Sequence, residues 1–471
     1  MPPVTGRDRG ELALVLHTHM PYVEGFGTWP FGEEWLWEAM ATCYLPLLDV
    51  LERGAPLTLS VTPVLCDQLE APGVGERFVR FLREVREMTH REDIEGCRRG
   101  APELVAELEA SAADYRAADR RFAAIGGDLV GALAPHAAWA SAATHAVLPL
   151  LASDAGVRLQ LEVGIDSHRR RFGGWGGGLW LPECAHAPWL DPLLEAAGVR
   201  ATCLDLTDVL GLGAPENLRP LRSPAGPVLV PLDRAVIELV WSDAGYPAHG
   251  TYRDYHHHTV HHHTPWANHG GPYDRAAGRA LAREHAADFV GRVQARLDRA
   301  RAELGRPGLC VCALDTELLG HWWHEGRWWL ESVLDHAVEE GLALARLDEA
   351  LERHEPEPAP ADLPVTTWGS PRDLSTWSAP GVGDLAWAAR AAELRVAAAG
   401  DAAGSRALRE LLALQSSDWA FMVTRGLAGD YPRQRARGHA DALDAILRLG
   451  SPEPAVRNLA PWLRAAALHD A

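Results

Sequence analysis

Two acidic residues are placed where chemistry is done. Glu183 lies in "GLWLPECAHAPWL", directly after a short apolar run, and Asp315 lies in "VCALDTELLGHWWHEG", again where an apolar run stops. Tryptophans flank both: Trp180 and Trp189 for the first, Trp322 and Trp323 for the second. Two carboxyl groups beside aromatic rings suit glycosidic chemistry, one attacking or stabilising the anomeric carbon while the other protonates the leaving oxygen. Apolar neighbours would raise the acid's pKa toward neutrality, as that role requires. Either residue also reads as a cap for the helix that follows it. A third feature, "HTH" at 17–19, closes another apolar run. Its imidazoles could serve the same site, stack as structural rings, or belong to a metal site, although one histidine pair does not fill a coordination shell.

The stretch "DYHHHTVHHHTPWANH" (254–269) holds seven of the 22 histidines. Three readings are open: a lid or groove wall whose neutral imidazoles hydrogen-bond sugar hydroxyls, a passive solvated loop, or a metal-binding tract.

The elements that must carry these residues are legible as short apolar runs ending in polar or acidic residues. They are "LALVLHTH", "LTLSVTP", "GLWLPEC", "VRATCLD", "VLVPLD", "AVIELVW", "GLCVCALDTE" and "LALARLDE". Runs of this length read as buried strands. Helical stretches such as 276–304 and 325–341 lie between many of them, and strand–helix alternation argues for a parallel barrel or a doubly wound sheet. Chemistry then belongs at the C-terminal strand ends, which points to His17, His19, Glu183, Asp205, Asp233 and Asp315. Two regions break the alternation. Residues from about 75 to 130 are polar and helix-like, and after the Pro-rich "HEPEPAPADLP" come Ala/Leu/Arg-rich amphipathic stretches at 384–399, 404–414, 434–449 and 457–468. The expected division is barrel over 1–75, helical insertion over 76–130, barrel with the reactive residues over 131–360, and a helical C-terminal domain over 361–471.

The bulk numbers bound the function. The chain has 471 residues, enough for two or three domains. Its net charge of −19, with no strongly basic stretch, argues against a nucleic-acid partner. No run approaches the length of a membrane span, and the start lacks signal-peptide architecture. Seven scattered cysteines do not make a disulfide framework, so a cytoplasmic location is the simplest reading. Tryptophan (18) outnumbers tyrosine (8) and phenylalanine (8). Indole rings suit surfaces that are apolar yet hydrogen-bonding, as sugar faces are; a tryptophan-rich core is the other reading.

Taken together, "LHTHMPYV", "WPFGEEWLWEA", "SAATHAVLPLL", "DSHRRRFG", "GLWLPECAHAPWL", "ALDTELLGHWWHEG" and "SSDWAFM" resemble the family-57 glycoside hydrolases, and among them the 1,4-α-glucan branching enzymes. The resemblance spans residues 17 to about 422 in the expected order. It implies an α/β fold: an incomplete (β/α)7 barrel with a helical insertion and an α-helical C-terminal domain. It implies a retaining mechanism without metal or cofactor, acting on α-1,4-glucan as donor and acceptor. By motif, Glu183 matches the nucleophile and Asp315 the general acid/base. His17, His19 and His145 match sugar-binding histidines. Trp35, Trp368 and Trp377 match residues lining the glucan groove, with Trp266, Trp322, Asp418 and Trp419 as further substrate-binding positions. Tyr246 matches a loop tyrosine that keeps water from the intermediate. Three features depart from the pattern: "GSPRDLST" stands where a Gly-Gly stretch is usual, the C-terminal domain is compact, and the histidine-rich loop is extra. An α-amylase or a 4-α-glucanotransferase would share the fold. A metal-dependent carbohydrate deacetylase using His17 and His19, or a catalytically inactive glucan binder, would be a different class.

Overall fold

The structure is a computed structural model that describes residues 6–450 and 456–464. Seven strands form the barrel: β1 (Gly10–Thr18), β2 (Thr58–Val61), β3 (Ala137–Ser141), β4 (Leu179–Trp180), β5 (Ala201–Leu204), β6 (Val228–Pro231) and β7 (Gly308–Asp315). β1 pairs in parallel with both β2 and β7, and β3 continues the sheet from β2 to β4. A parallel bridge from Gly178 to Ala201 leads from β4 to β5, which pairs with β6. The ring is left incomplete. Among the described residues β6 and β7 form no ladder, and the Asp233 N–H donates to the Val311 carbonyl at 2.9 Å where they approach. All nine residues of β1 are buried, as a parallel strand covered on both faces requires.

Two long helices of the insertion between β2 and β3 are α1 (Glu87–Gly100) and α2 (Val105–Ala124). Three helices of the barrel wall follow: α3 (Arg234–Val240), α4 (Arg275–Leu304) and α5 (Gly326–Glu339). The Asp274 carboxylate caps α4 by accepting from the Ala276 and Ala277 N–H groups at 2.9 and 3.1 Å, and Gly305 at φ 72° ends it. The C-terminal lobe holds α6 (Gly383–Ala399), α7 (Gly404–Leu414), α8 (Ser417–Thr424) and α9 (Tyr431–Leu449). It has its own core, which includes Trp377, Leu411, Trp419 and Leu443, while Trp35 packs against both this core and the barrel's.

Several elements differ from the sequence expectation. "AVIELVW" is helix α3, not a strand, with Val236, Ile237 and Val240 buried. An apolar run of this length fits a buried helix as well as a strand. "GLWLPEC" is strand only at Leu179–Trp180, because Pro182 has no N–H to continue the ladder. "LALARLDE" pairs only at Ala343–Leu344. Residues 456–464 form no helix, and 465–468 lie outside the described residues.

Candidate active site

The loop after β4 turns sharply. Glu183 (φ 60°) and Cys184 (φ 47°) are both left-handed, as is His145 (φ 59°). Each such residue costs on the order of 1–2 kcal/mol when it is not glycine, so neighbours must hold it. The Trp368 N–H donates to the Glu183 carbonyl at 3.0 Å, and His186 and Thr366 exchange backbone bonds at 2.9 and 3.0 Å. The Glu183 side chain is then fixed at both oxygens. The Ser417 hydroxyl donates to Oε1 at 3.0 Å and Trp368 Nε1–H donates to Oε2 at 3.3 Å. Burial pushes its pKa up to about 7; the hydrogen bonds from Ser417 and Trp368 and the charge of His19 restrain the rise, while Asp418 adds to it.

Behind Glu183 runs a chain of side chains. Ser417 gives its single proton to Glu183, so it accepts from His145 Nδ1–H at 2.8 Å. His145 Nε2 is then a lone pair and accepts from His17 Nε2–H at 2.9 Å. That leaves His17 Nδ1 to accept from the Ser60 hydroxyl at 3.3 Å. One tautomer of each ring satisfies every link, and both rings are neutral: burial holds the pKa of His17 and of His145 well below the usual value. His19 is the member whose charged form is favoured. Burial opposes its charge, but Asp418, 3.0 Å from its Nε2, raises its pKa above normal, and the charge of His19 in turn lowers that of Asp418. The two histidines of "HTH" share a face because they stand two residues apart at a strand end. The His145 ring lies against both, 4.0 Å from His19 and 5.0 Å from His17, and His17 stacks on buried Trp180 at 4.8 Å.

Asp315 ends β7 in register with His17 on β1, so the two side chains share a face of the sheet. Burial, then the charges of Glu317 and Glu183, raise its pKa well above the carboxylate range. Among the described residues its carboxyl group accepts no hydrogen bond, whereas Glu183 accepts two. The protonated form is thus favoured at Asp315 and the ionised form at Glu183 is the one that its two donors stabilise. Glu317, buried, accepts from the Tyr44 hydroxyl at 2.6 Å and from the His19 backbone N–H at 3.1 Å, and burial carries its pKa up to about 7. Glu317, Tyr44, Ser60 and Ser417 escaped the sequence reading. Glu317 stands two residues after Asp315 and Ser417 directly before Asp418, so proximity to the motif residues was the available signal.

The other strand-end acids differ in kind. Asp205 is bound by Arg234 (Nε at 2.8 Å) and Arg372, and Asp233 by Arg296 at 2.9 Å. Each carries its own counter-ion, and neither stands open for chemistry.

The aromatic positions scatter. Trp368 touches both Glu183 and Trp180. Trp35 sits against Phe31 and Tyr431 at the junction of barrel and lobe. Trp322 is 38% exposed on the Asp315 loop. Trp266 stacks on His257 at 3.9 Å. Trp377 and Trp419 are buried in the lobe core, where Trp419 Nε1–H donates to the Ala413 carbonyl at 2.8 Å. Tyr246 donates its hydroxyl to Asp288 on α4 at 2.7 Å and stacks on His285, turned to that helix. The histidine tract is pinned to α1: both Asp93 oxygens accept, from His261 Nδ1–H and His263 Nδ1–H at 2.7 Å each, and the Thr259 hydroxyl joins them. Among the described residues no three His, Cys, Asp or Glu side chains are grouped so that they could hold a metal ion; the nitrogens of His17 and His19 point instead to His145, Ser60, Thr62 and Asp418.

Residues 139–361 match the profile of glycosyl hydrolase family 57, and residues 388–467 match that of the 1,4-alpha-glucan branching enzyme C-terminal region. The chain is 31% identical to a 1,4-alpha-glucan branching enzyme of Thermococcus kodakarensis, over 92% of this chain and 72% of that one. It is 32% identical to a probable 1,4-alpha-glucan branching enzyme of Mycobacterium tuberculosis, over 98% of this chain and 97% of the relative. The crystal structure of a GH57-type branching enzyme from Pyrococcus horikoshii superposes with a TM-score of 0.86 at 31% identity, covering 94% of this chain and 92% of that one.

Proposed function

This chain belongs to glycosyl hydrolase family 57, and we propose that it is a 1,4-α-glucan branching enzyme with Glu183 as nucleophile and Asp315 as general acid/base. The observation that carries the assignment is the asymmetry of the two carboxyl groups. Glu183 is oriented by donors at both oxygens and, among the described residues, has no arginine beside it, while half-buried Asp315 accepts no hydrogen bond and has its pKa raised, by burial first and then by the charges of Glu317 and Glu183.

The reaction runs in two displacements. Glu183 attacks the anomeric carbon of an α-1,4 link as that carbon's bond to the departing oxygen breaks, and Asp315 gives its proton to that oxygen. A glycosyl ester on Glu183 remains. Asp315, now a carboxylate, takes the proton of an acceptor 6-hydroxyl. The freed oxygen attacks the anomeric carbon, the ester breaks, and an α-1,6 branch is formed with Glu183 restored. His17, His19 and His145 line the cleavage point; the first and last are held by one another and by Ser60 and Ser417, and Asp418 favours the protonated form of His19. Trp35, Trp368, Trp266, Trp322 and Trp377, with Asp418 and Trp419, form or support the glucan groove, and Tyr246 belongs to the segment that keeps water from the ester. Among the described residues no helix is long and apolar enough to cross a membrane. We place the enzyme in the cytoplasm, where its seven free cysteines stay reduced.

The test is to incubate the pure protein with amylose, treat the product with a debranching enzyme and size the chains. New α-1,6 links are expected, lost in both Glu183→Gln and Asp315→Asn. New α-1,4 links alone would make it a 4-α-glucanotransferase, and reducing ends alone an amylase.

A further inference from the structure

Seven rings from four separate chain segments form an unbroken line, most of it exposed. Trp241, after α3, meets Trp322 on the Asp315 loop edge-on at 5.6 Å. His321, next to Trp322, lies 6.0 Å from Tyr255. Tyr255 lies 6.4 Å from His258, His258 lies 5.3 Å from His262, and His262 meets Trp29 at 5.5 Å. Trp29 follows His19 along the β1 loop. Its exposure is 59%, with Trp241 at 42% and Tyr255 at 39%; His258 and His262 are exposed as well. Core packing does not account for them.

The histidine tract is folded so as to present these rings. His262 is left-handed at φ 62°, in a turn closed by the Thr259 N–H donating to the His263 carbonyl at 2.8 Å and the His262 N–H donating to the Thr259 carbonyl at 3.1 Å. That turn sends His261 and His263 down to Asp93 and leaves His262 up. Below, His263 stacks on His90 of α1 at 3.7 Å, His261 Nε2 meets Glu92 at 3.1 Å, and His257 stacks on Trp266. Alternate histidines thus have opposite jobs: one set anchors the loop and the other faces solvent.

We propose that this line is a binding track for a neutral α-glucan chain outside the cleavage point, running from the β7 loop over the histidine-rich segment to the β1 loop. The inference rests on the branching-enzyme reading. Trp322, next to the Trp241 end, lies on the loop of Asp315, and Trp29 at the other end lies on the loop of His19, so a polymer engaged at the site passes over the line. Ring faces stack on the apolar faces of glucose units, and imidazole nitrogens add hydrogen-bonding partners for hydroxyl groups. The chain's net charge of −19 disfavours an anionic polymer here.

The experiment is affinity electrophoresis of the full chain in native gels containing amylopectin, beside turnover on maltoheptaose. The triple variant Tyr255→Ala, His258→Ala, His262→Ala should bind amylopectin roughly ten- to a hundredfold more weakly, since each lost stack counts severalfold. Turnover of maltoheptaose should be unchanged. The variant Tyr255→Phe, His258→Phe, His262→Phe keeps the rings and should retain most of the binding, which separates loss of stacking from loss of folding. Unchanged amylopectin retardation in the alanine variant overturns the proposal. So does a parallel loss on maltoheptaose, which would make the rings part of the cleavage site, or equal retardation of the wild type by xylan. Retardation needs no turnover, so a protein that binds amylopectin through these rings yet makes no branches would refute the proposed activity and leave the track standing.

Discussion

Ser417, in the C-terminal lobe, donates its hydroxyl to Oε1 of Glu183 at 3.0 Å while accepting from Nδ1 of His145 at 2.8 Å. The hydroxyl stabilises the ionised carboxylate and so lowers the pKa of Glu183.

Removing it has a signed consequence. As the proposed nucleophile Glu183 must be ionised, so activity is expected above its pKa, about 7, and is lost as pH falls through it. Ser417→Ala raises that pKa, so the acid limb of kcat/KM moves to higher pH. A hydrogen bond to a charged group is worth about 1.5–3 kcal/mol, so kcat near neutrality falls about tenfold or more, with KM little changed. Ser417→Thr keeps a hydroxyl and leaves the limb in place. A pH–rate profile that does not move in Ser417→Ala refutes the role.

On the proposed mechanism the alkaline limb belongs to Asp315. Cleavage needs it protonated, so activity fails as pH rises through its pKa. Glu317 holds that pKa up. Glu317→Gln keeps an acceptor for Tyr44 but removes the charge, so the alkaline limb should move to lower pH while the acid limb moves less. An upward shift would contradict the electrostatic account.

Tyr246 is tied to α4 through Asp288. Tyr246→Phe keeps the ring on His285 and loses only that tie. If this segment guards the ester from water, reducing ends released per new branch should rise severalfold on amylose. Equal losses of branching and hydrolysis would mean that the segment supports the whole site and is no water gate.

Asp233 is fully buried and depends on Arg296. Arg296→Met strands the carboxylate, which should cost roughly 3–5 kcal/mol, read as a lower midpoint in urea unfolding. The protein that remains folded should turn over normally, since neither residue touches the site.

The strands ending at His17, Asp205, Asp233 and Asp315 were readable because a strand buried on both faces is a continuous apolar run. The same run misled at 235–241, where burial of a helix leaves the same composition. Position alone did not separate Glu183 and Asp315 from Asp205 and Asp233; the difference is which of them an arginine reaches across the fold. Ser417 and Glu317 were invisible for a related reason. Their roles are hydrogen bonds to partners 234 and 298 residues away in sequence, which no local pattern encodes. The histidine tract showed its composition but not its alternation, since Asp93, its anchor, lies on the insertion.

The chain contact between Ser417 and Glu183 also sets an order in time. A ribosome delivers His17, Glu183 and Asp315 long before Ser417 and Asp418. Until the lobe emerges, the strained turn at Glu183 lacks its hydroxyl partner and His19 lacks its counter-ion. The barrel's reactive residues are therefore complete only once the last quarter of the chain is in place, and a chain cut short ahead of position 417 carries Glu183 and Asp315 without the partners that orient them.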